Sequence, residues 1–309
     1  MYQVFIDGQA GTTGLEITAR LEGREDIALL RLSDEERKDP AARQNALRSA
    51  DVAILCLPDD AAREAVALGG DETRYIDAST AHRTAEGWAF GLPEMSAGQR
   101  DAIREAARVS NPGCYPQGFI LTVRPLIEAG LLAASTPLSM HALSGYSGGG
   151  RQMIEAYTAG VNDGYGARPY GLTLSHKHLP EMHKHALCET PPVFSPTVCN
   201  YYKGMTTHVP LHASQLSGSV ADVLNCLSER YAGEPFVRVF KDAQCGLDGA
   251  FLEPTACNDT NRLEILVFGN EHHVLLTARY DNLGKGASGA AVQNLNLMLG
   301  VDERTGLAA

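Results

Sequence analysis

A chain of 309 residues is long enough for one large domain or two ordinary ones. Charged residues at 20% and hydrophobic ones at 44% exclude a disordered or fibrous chain. With 37 acidic against 26 basic residues, a formal charge of −11, a nucleic-acid binder with a broad basic face is excluded too, and an anionic substrate would need individually placed Arg or Lys residues.

The chain opens Met1-Tyr2-Gln3-Val4-Phe5-Ile6-Asp7, directly as a strand and with no basic leader, and it has no apolar run of about 18 residues. A cytoplasmic protein without a membrane span is expected. Strands are predicted over 4–6, 27–32, 52–57 and 75–76 and at Val109, with helices over 15–21, 40–48, 61–68 and 97–107 between them. That alternation argues for parallel βαβ units. After about residue 115 the pattern changes to longer strands over 138–143, 206–211, 263–268 and 273–280, separated by Gly- and Pro-rich loops. A mainly antiparallel sheet with helices on one face follows. The last predicted helix, 287–299, is apolar enough to dock on the first domain.

Directly after the first strand comes Gly8-Gln9-Ala10-Gly11-Thr12-Thr13-Gly14 and then a helix. Glycines there permit a tight turn and close approach of backbone to a pyrophosphate, which the helix N-terminus attracts. Gly8, Gly11, Thr12, Thr13 and Gly14 are therefore candidate dinucleotide ligands. The second strand leads into Arg31-Leu32-Ser33-Asp34, with Arg37 and Lys38 behind. Ser33 with Arg31 or Arg37 suits a ribose 2′-phosphate, whereas Asp34 suits a free 2′-hydroxyl, so the residues alone leave NADP and NAD open. The fold class is α/β: a Rossmann-type dinucleotide-binding domain from 1–114 with 285–309, and an α+β catalytic and oligomerisation domain from 115–284.

Seven cysteines at positions 56, 114, 188, 199, 226, 245 and 257 include no C-x-x-C pair, so neither a disulfide framework nor a four-cysteine zinc site is expected. Most should be small buried hydrophobes. Cys114 differs, lying in Ser110-Asn111-Pro112-Gly113-Cys114-Tyr115-Pro116-Gln117-Gly118. Pro116 suits the first position of a helix over 116–129 closed by Gly130, which puts Cys114 at its mouth. There the helix dipole favours a thiolate, and free amides can hold an oxyanion; a structural thiol in a turn is the alternative. Four histidines lie in Ser175-His176-Lys177-His178-Leu179-Pro180-Glu181-Met182-His183-Lys184-His185. No outside ligand spacing supports a metal. His176 or His178 as proton donor to a cysteine nucleophile is the sharper reading.

Taken with Asp77-Ala78-Ser79-Thr80-Ala81-His82-Arg83, Gly91-Leu92-Pro93-Glu94, Ser144-Gly145-Tyr146-Ser147-Gly148-Gly149-Gly150-Arg151 and Asp281-Asn282-Leu283-Gly284-Lys285-Gly286-Ala287, these segments resemble the N-acetyl-gamma-glutamyl-phosphate reductases, relatives of aspartate-semialdehyde dehydrogenase. Asn111 and Gln117 depart from the commoner pattern and look like the family's shorter branch. The resemblance implies reduction of N-acetyl-L-glutamyl 5-phosphate by NADPH through a thioester on Cys114, with His178 as acid/base and His176 orienting or binding substrate. It also implies substrate contacts from Arg83, Arg151, Lys177, Ser147 and Gly148, and cofactor contacts from Ser33, Ser79 and Asn282, with Glu94 structural. A small acyl phosphate as substrate, no metal, and a homodimer or homotetramer complete the expectation. Aspartate-semialdehyde dehydrogenase, a carrier-linked substrate, and a redox-sensing nucleotide-binding regulator are the alternatives.

Overall fold

A computed structural model describes residues 1–159 and 164–309, and it divides into two compact units. The first comprises Met1–Pro112 and Ala287–Leu307, the second Gly113–Gly286 and Ala308–Ala309. The division thus comes two residues before the expected boundary at 114. Gly113 and Cys114 join the second unit through the Gly113 N–H, which Glu181 accepts at 3.0 Å, and the Cys114 carbonyl, which takes the Tyr280 hydroxyl at 2.6 Å.

In the first unit the order is β1 (Tyr2–Asp7), α1 (Thr12–Leu21), β2 (Ile27–Leu30), α2 (Pro40–Ser49), β3 (Val52–Leu55), α3 (Asp59–Gly69), β4 (Tyr75–Asp77), β5 (Ala89–Phe90), α4 (Gln99–Glu105) and β6 (Arg108–Ser110). The sheet order is β2-β1-β3-β4-β6-β5, every pairing parallel, with Val4 opposite Val52 and Ile54 opposite Ile76. Val4, Ile6, Val52, Ile54, Ile76 and Val109 are buried, as a sheet covered on both faces requires. α2 starts where Asp39 accepts the Ala41 N–H at 3.0 Å and Pro40 pre-sets the first turn.

The C-terminal segment returns to this unit as α9 (Gly289–Leu299), all of whose residues are buried. Its polar side chains answer specific needs. Asn294 Nδ2 donates to Gly91 O at 2.9 Å and Asn111 Oδ1 at 3.1 Å, while Gln293 Nε2 donates to the buried Glu94 Oε1 at 3.0 Å. A methyl at Gly91 would overlap the Asn294 amide, so the glycine lets helix and loop meet.

The second unit runs α5 (Cys114–Glu128), β7 (Ser139–Gly145), α6 (Gly150–Thr158), β8 (Arg168–Pro169), α7 (Leu179–His185), β9 (Val193–Cys199), β10 (Met205–His212), α8 (Val220–Arg230), β11 (Val237–Val239), β12 (Leu263–Gly269) and β13 (His273–Tyr280). Its sheet is ordered β11-β12-β13-β10-β7-β9-β8. Of its six pairings, four (β10–β13, β10–β7, β12–β13, β8–β9) are antiparallel and two (β11–β12, β7–β9) parallel. β9 had no counterpart among the predicted strands, because Pro196 interrupts its apolar run. α5 begins at Cys114 rather than at Pro116, so the proline takes the third helical position, where its missing N–H is still harmless. Pro125, inside α5, removes the amide that would bond Leu121 O, and the Tyr231 hydroxyl replaces it at 2.6 Å. All seven cysteines are free; Cys188, Cys199 and Cys257 are buried, Cys56, Cys114 and Cys226 are intermediate, and Cys245 is exposed, fewer buried thiols than composition suggests.

Candidate active site

At the end of β1, Gly8 adopts φ +91°, a left-handed conformation, and a Cβ there would overlap the Cys56 carbonyl oxygen. A Cβ on Gly14 would stand 2.5 Å from Gly8 O. Turn and helix therefore approach as closely as only glycine allows. Gly11 is the N-cap of α1, Thr12 and Thr13 are its first two residues, and no side chain caps the amides there. A cavity of about 280 Å³ adjoins this turn, lined by Asp7, Gly8, Gln9, Ala10, Leu32, Arg37 and Arg43 among others. Arg43, which the sequence did not single out, donates to Asp7 Oδ2 at 2.8 Å.

Ser33 does not line that cavity. It is exposed and closes a local turn instead, its N–H donating to Glu36 Oε2 at 2.8 Å and its Oγ accepting from Glu36 N at 3.2 Å. Those bonds hold the Glu36 carboxyl below its usual range. Arg31 pairs with Glu22, and Arg37 with Asp34 at 3.0 Å. The cations facing the cavity are Arg37 and Arg43.

Asp77, fully buried at the end of β4, organises the next segment. It accepts from Ser79 N at 2.9 Å and Ser79 Oγ at 2.8 Å, and contacts His82 Nδ1 at 2.6 Å. Ser79, expected to meet cofactor, has its hydroxyl hydrogen engaged there. Arg83 is buried, with Nε donating to Asn111 O at 3.0 Å and Nη2 to Ala78 O at 3.1 Å. These two bonds brace the guanidinium against backbone carbonyls of its own unit.

In the second unit, Gly113 caps α5 and Cys114 is its first residue. The amides of Cys114 and Tyr115 lie in the first turn, where a helix offers no carbonyl four residues back. A Cβ on Gly286 would come within 3.1 Å of Cys114 Cβ, so this glycine lets the chain after β13 lie against the cysteine. Three phenols surround the same residue. Burial first, then Tyr170 and Cys114, push the Tyr115 hydroxyl well above its usual range. Burial with Cys114 nearby raises Tyr170 to about 12, and Tyr280 responds in the same direction. Tyr170 donates to Tyr115 at 3.1 Å. All three stay protonated at neutral pH and can stand beside a thiolate without adding charge.

Both candidate imidazoles pack on Tyr115, each ring centroid 5.9 Å from its ring. Their own centroids are 4.7 Å apart. His176 Nδ1 accepts the His178 backbone N–H at 3.2 Å, which puts a neutral His176 proton on Nε2. Phe194, at 5.0 Å, and Tyr170, at 5.9 Å, enclose the His176 ring, and His178 is 6% exposed. His183 and His185, on the following helix, are only partly buried. Glu181, three residues after His178, is the buried carboxylate that takes the Gly113 N–H, linking this helix to the cysteine turn.

Asn282 is buried, its Oδ1 accepting Gly204 N at 2.8 Å and its Nδ2 donating to Ser147 Oγ at 2.9 Å. That amide thereby fastens the loop carrying Ser147 and Gly148. A Cβ on Gly148 would lie 3.2 Å from Ser144 Oγ and 3.5 Å from Asn282 Nδ2. Lys177 is exposed, and so is Arg151, which pairs with Glu155 at 2.7 Å along α6. Among the described residues no three His, Cys, Asp or Glu side chains are grouped to hold a metal ion. Sequence reasoning had passed over Tyr115, Tyr170, Glu181, Tyr280 and Gly286. Only Glu181 carried a signal, its place in the His-x-His-x-x-Glu run, since the others acquire a role by tertiary approach.

Residues 114–282 match the family model for the semialdehyde dehydrogenase, dimerisation domain. N-acetyl-gamma-glutamyl-phosphate reductase 2 of Nostoc sp. (strain PCC 7120 / SAG 25.82 / UTEX 2576) is 50% identical over 318 residues, covering 99% of each chain. The protein of the same name from Pseudomonas putida is 52% identical over 303 residues, covering 96% of each. Among solved structures, aspartate semialdehyde dehydrogenase from Francisella tularensis superposes with TM-score 0.74 at 14% identity, over 97% of this chain and 100% of that one. The Candida albicans enzyme with NADP gives 0.66 at 14% identity, over 97% and 98%. At such identity the likeness is one of fold.

Proposed function

The chain belongs to the N-acetyl-gamma-glutamyl-phosphate reductases of the semialdehyde dehydrogenase family, and from that premise we propose how its own residues carry the reaction. The activity is reduction of N-acetyl-L-glutamyl 5-phosphate to N-acetyl-L-glutamate 5-semialdehyde with release of phosphate, a step of arginine biosynthesis. Cys114 attacks the acyl carbon as a thiolate, the carbon–oxygen bond to phosphate breaks, and a thioester on Sγ remains. The amides of the first turn of α5 stabilise the oxyanion formed in that attack. NADPH, when bound, supplies the hydride that reduces the thioester carbonyl. The tetrahedral thiohemiacetal then collapses with cleavage of its carbon–sulfur bond. His178 moves the proton from oxygen to sulfur in this step, while His176 orients its loop through the bond to the His178 amide.

The glycine turn fits a dinucleotide pyrophosphate, since Gly8 and Gly14 let the turn close onto α1, whose first amides carry no side-chain cap. Arg37 and Arg43 favour NADP over NAD, as both face the cavity beside that cradle. Lys177 and Arg151 are the exposed cations for the substrate's carboxylate and phosphate, with Ser147 and Gly148 supplying polar contacts close by in sequence. The Arg151–Glu155 pair is exposed along α6, so solvent screens it and the guanidinium can exchange partners readily. The dimerisation description of the matched segment supports a homodimer or homotetramer, which sedimentation equilibrium measures. Seven free thiols suit the cytoplasm, and no helix among the described residues is long and apolar enough to cross a membrane.

The observation that carries this reading is Cys114 at the first position of α5, its neighbour Tyr115 packed on both imidazoles. The test is phosphate-dependent oxidation of N-acetyl-glutamate semialdehyde with NADP. Wild type turns over and Cys114→Ser does not. Retained turnover in the variant refutes the covalent route, and a wild type that prefers aspartate semialdehyde reassigns the substrate.

A further inference from the structure

The phenol of Tyr280 is fully buried at the end of β13 and makes three hydrogen bonds. Its O–H donates to Cys114 O at 2.6 Å, and its oxygen accepts from Gly118 N at 3.1 Å and from the Thr207 hydroxyl. Gly118 is what lets α5 come so near, since a Cβ there would overlap Thr207 Oγ1 and lie 3.0 Å from the Tyr280 hydroxyl.

The other phenol bonded to this helix shows why the contact is informative. Tyr231 serves Leu121 O, a carbonyl deprived of its helical donor by Pro125. At Cys114 the hydroxyl stands in the helical ladder itself: the Gly118 N–H, four residues on, donates to the Tyr280 oxygen, and the Tyr280 O–H donates to Cys114 O. The donor so supplied polarises the peptide unit between Cys114 and Tyr115. Hydrogen bonds in series strengthen one another, so a carbonyl served by a hydroxyl that itself accepts two hydrogen bonds makes the Tyr115 N–H of the same unit a better donor. That N–H belongs to the open first turn, where a thiolate or oxyanion gathers its stabilisation.

Resting on the reductase reading above, we propose that Tyr280 is a positioning residue for the reaction: its hydroxyl fixes and polarises the Cys114–Tyr115 peptide and so tunes the nucleophile from behind the helix. It touches no substrate.

Tyr280→Phe keeps the ring and removes the hydroxyl. We expect kcat to fall about tenfold, the rate equivalent of one lost hydrogen bond, with KM changed less than about twofold. The rate of Cys114 alkylation by iodoacetamide, followed on its own peptide by mass spectrometry so that exposed Cys245 does not interfere, should have its pH midpoint raised by about half a unit. Alkylation needs no substrate, so it tests Tyr280 even if the wild type fails with N-acetyl-glutamate semialdehyde. Wild-type kcat together with a wild-type alkylation profile overturns the proposal. Should Tyr280→Phe not fold, Thr207→Val, which removes only the third bond, takes its place. A smaller midpoint shift in the same direction then supports the proposal, and an unmoved midpoint overturns it.

Discussion

Gly118→Ala sets two effects of opposite sign against each other. In a helix interior, alanine gains about 1 kcal/mol over glycine. At this site the new methyl would overlap Thr207 Oγ1 and press on the Tyr280 hydroxyl at 3.0 Å. Neither neighbour yields cheaply. Thr207 is 1% exposed, stiff at χ1 through β-branching and bonded to Tyr280, while Tyr280 is fully buried between two backbone groups of α5. Overpacking of this kind costs about 1–3 kcal/mol, and disturbing the hydroxyl bonds costs about 1 kcal/mol more. Subtracting the helical gain leaves a net loss of about 2 kcal/mol. Urea unfolding followed by far-ultraviolet circular dichroism should show the second unit's transition moving to lower denaturant with its slope unchanged. A variant as stable as wild type, or more stable, would mean that α5 can draw back from β10 and β13, and the packing argument would be wrong.

Gly8→Ala should abolish nucleotide binding, because the left-handed backbone and the overlap with Cys56 O both oppose it; NADPH fluorescence titration checks this, and wild-type affinity contradicts the cradle. His208 is held near pKa 4 by burial first and then by the facing His141, while its nitrogens contact the Thr277 and Thr206 hydroxyls at 3.0 and 3.1 Å. Because its folded value lies below the ordinary 6.5, the unfolded chain binds the proton more readily, so this site loses stability as pH falls from 6.5 toward 4. The His208→Gln variant should flatten the dependence of urea midpoint on pH across that window, and an unchanged slope counts against the assignment.

Much of the organisation was legible in residue order. The glycine turn after an apolar strand, the alternation up to Val109 and the cysteine between Gly113 and Pro116 each follow from local chemistry: φ freedom, periodicity and a ring that pre-sets a helix. The four-histidine run also announced itself, and the imidazoles of His176 and His178 share one cluster with Tyr115. Local patterning did not reveal how Ser33 and Arg83 are engaged: Ser33 closes its own turn with Glu36, and Arg83 donates to Asn111 O and Ala78 O.

Residue order by itself determined most of the elements and the place of Cys114 at a helix start, because these depend on groups a few positions apart. Which polar groups face the chemistry and which serve the backbone was decided only when the chain folded. Tyr280 meets Cys114 across 166 positions, an approach that Gly118 makes possible, and Arg43 meets Asp7 across 36. The physical reason is that a hydrogen-bond donor has no function until an acceptor is brought within about 3 Å of it, and over such separations only the packing of whole strands and helices sets that distance.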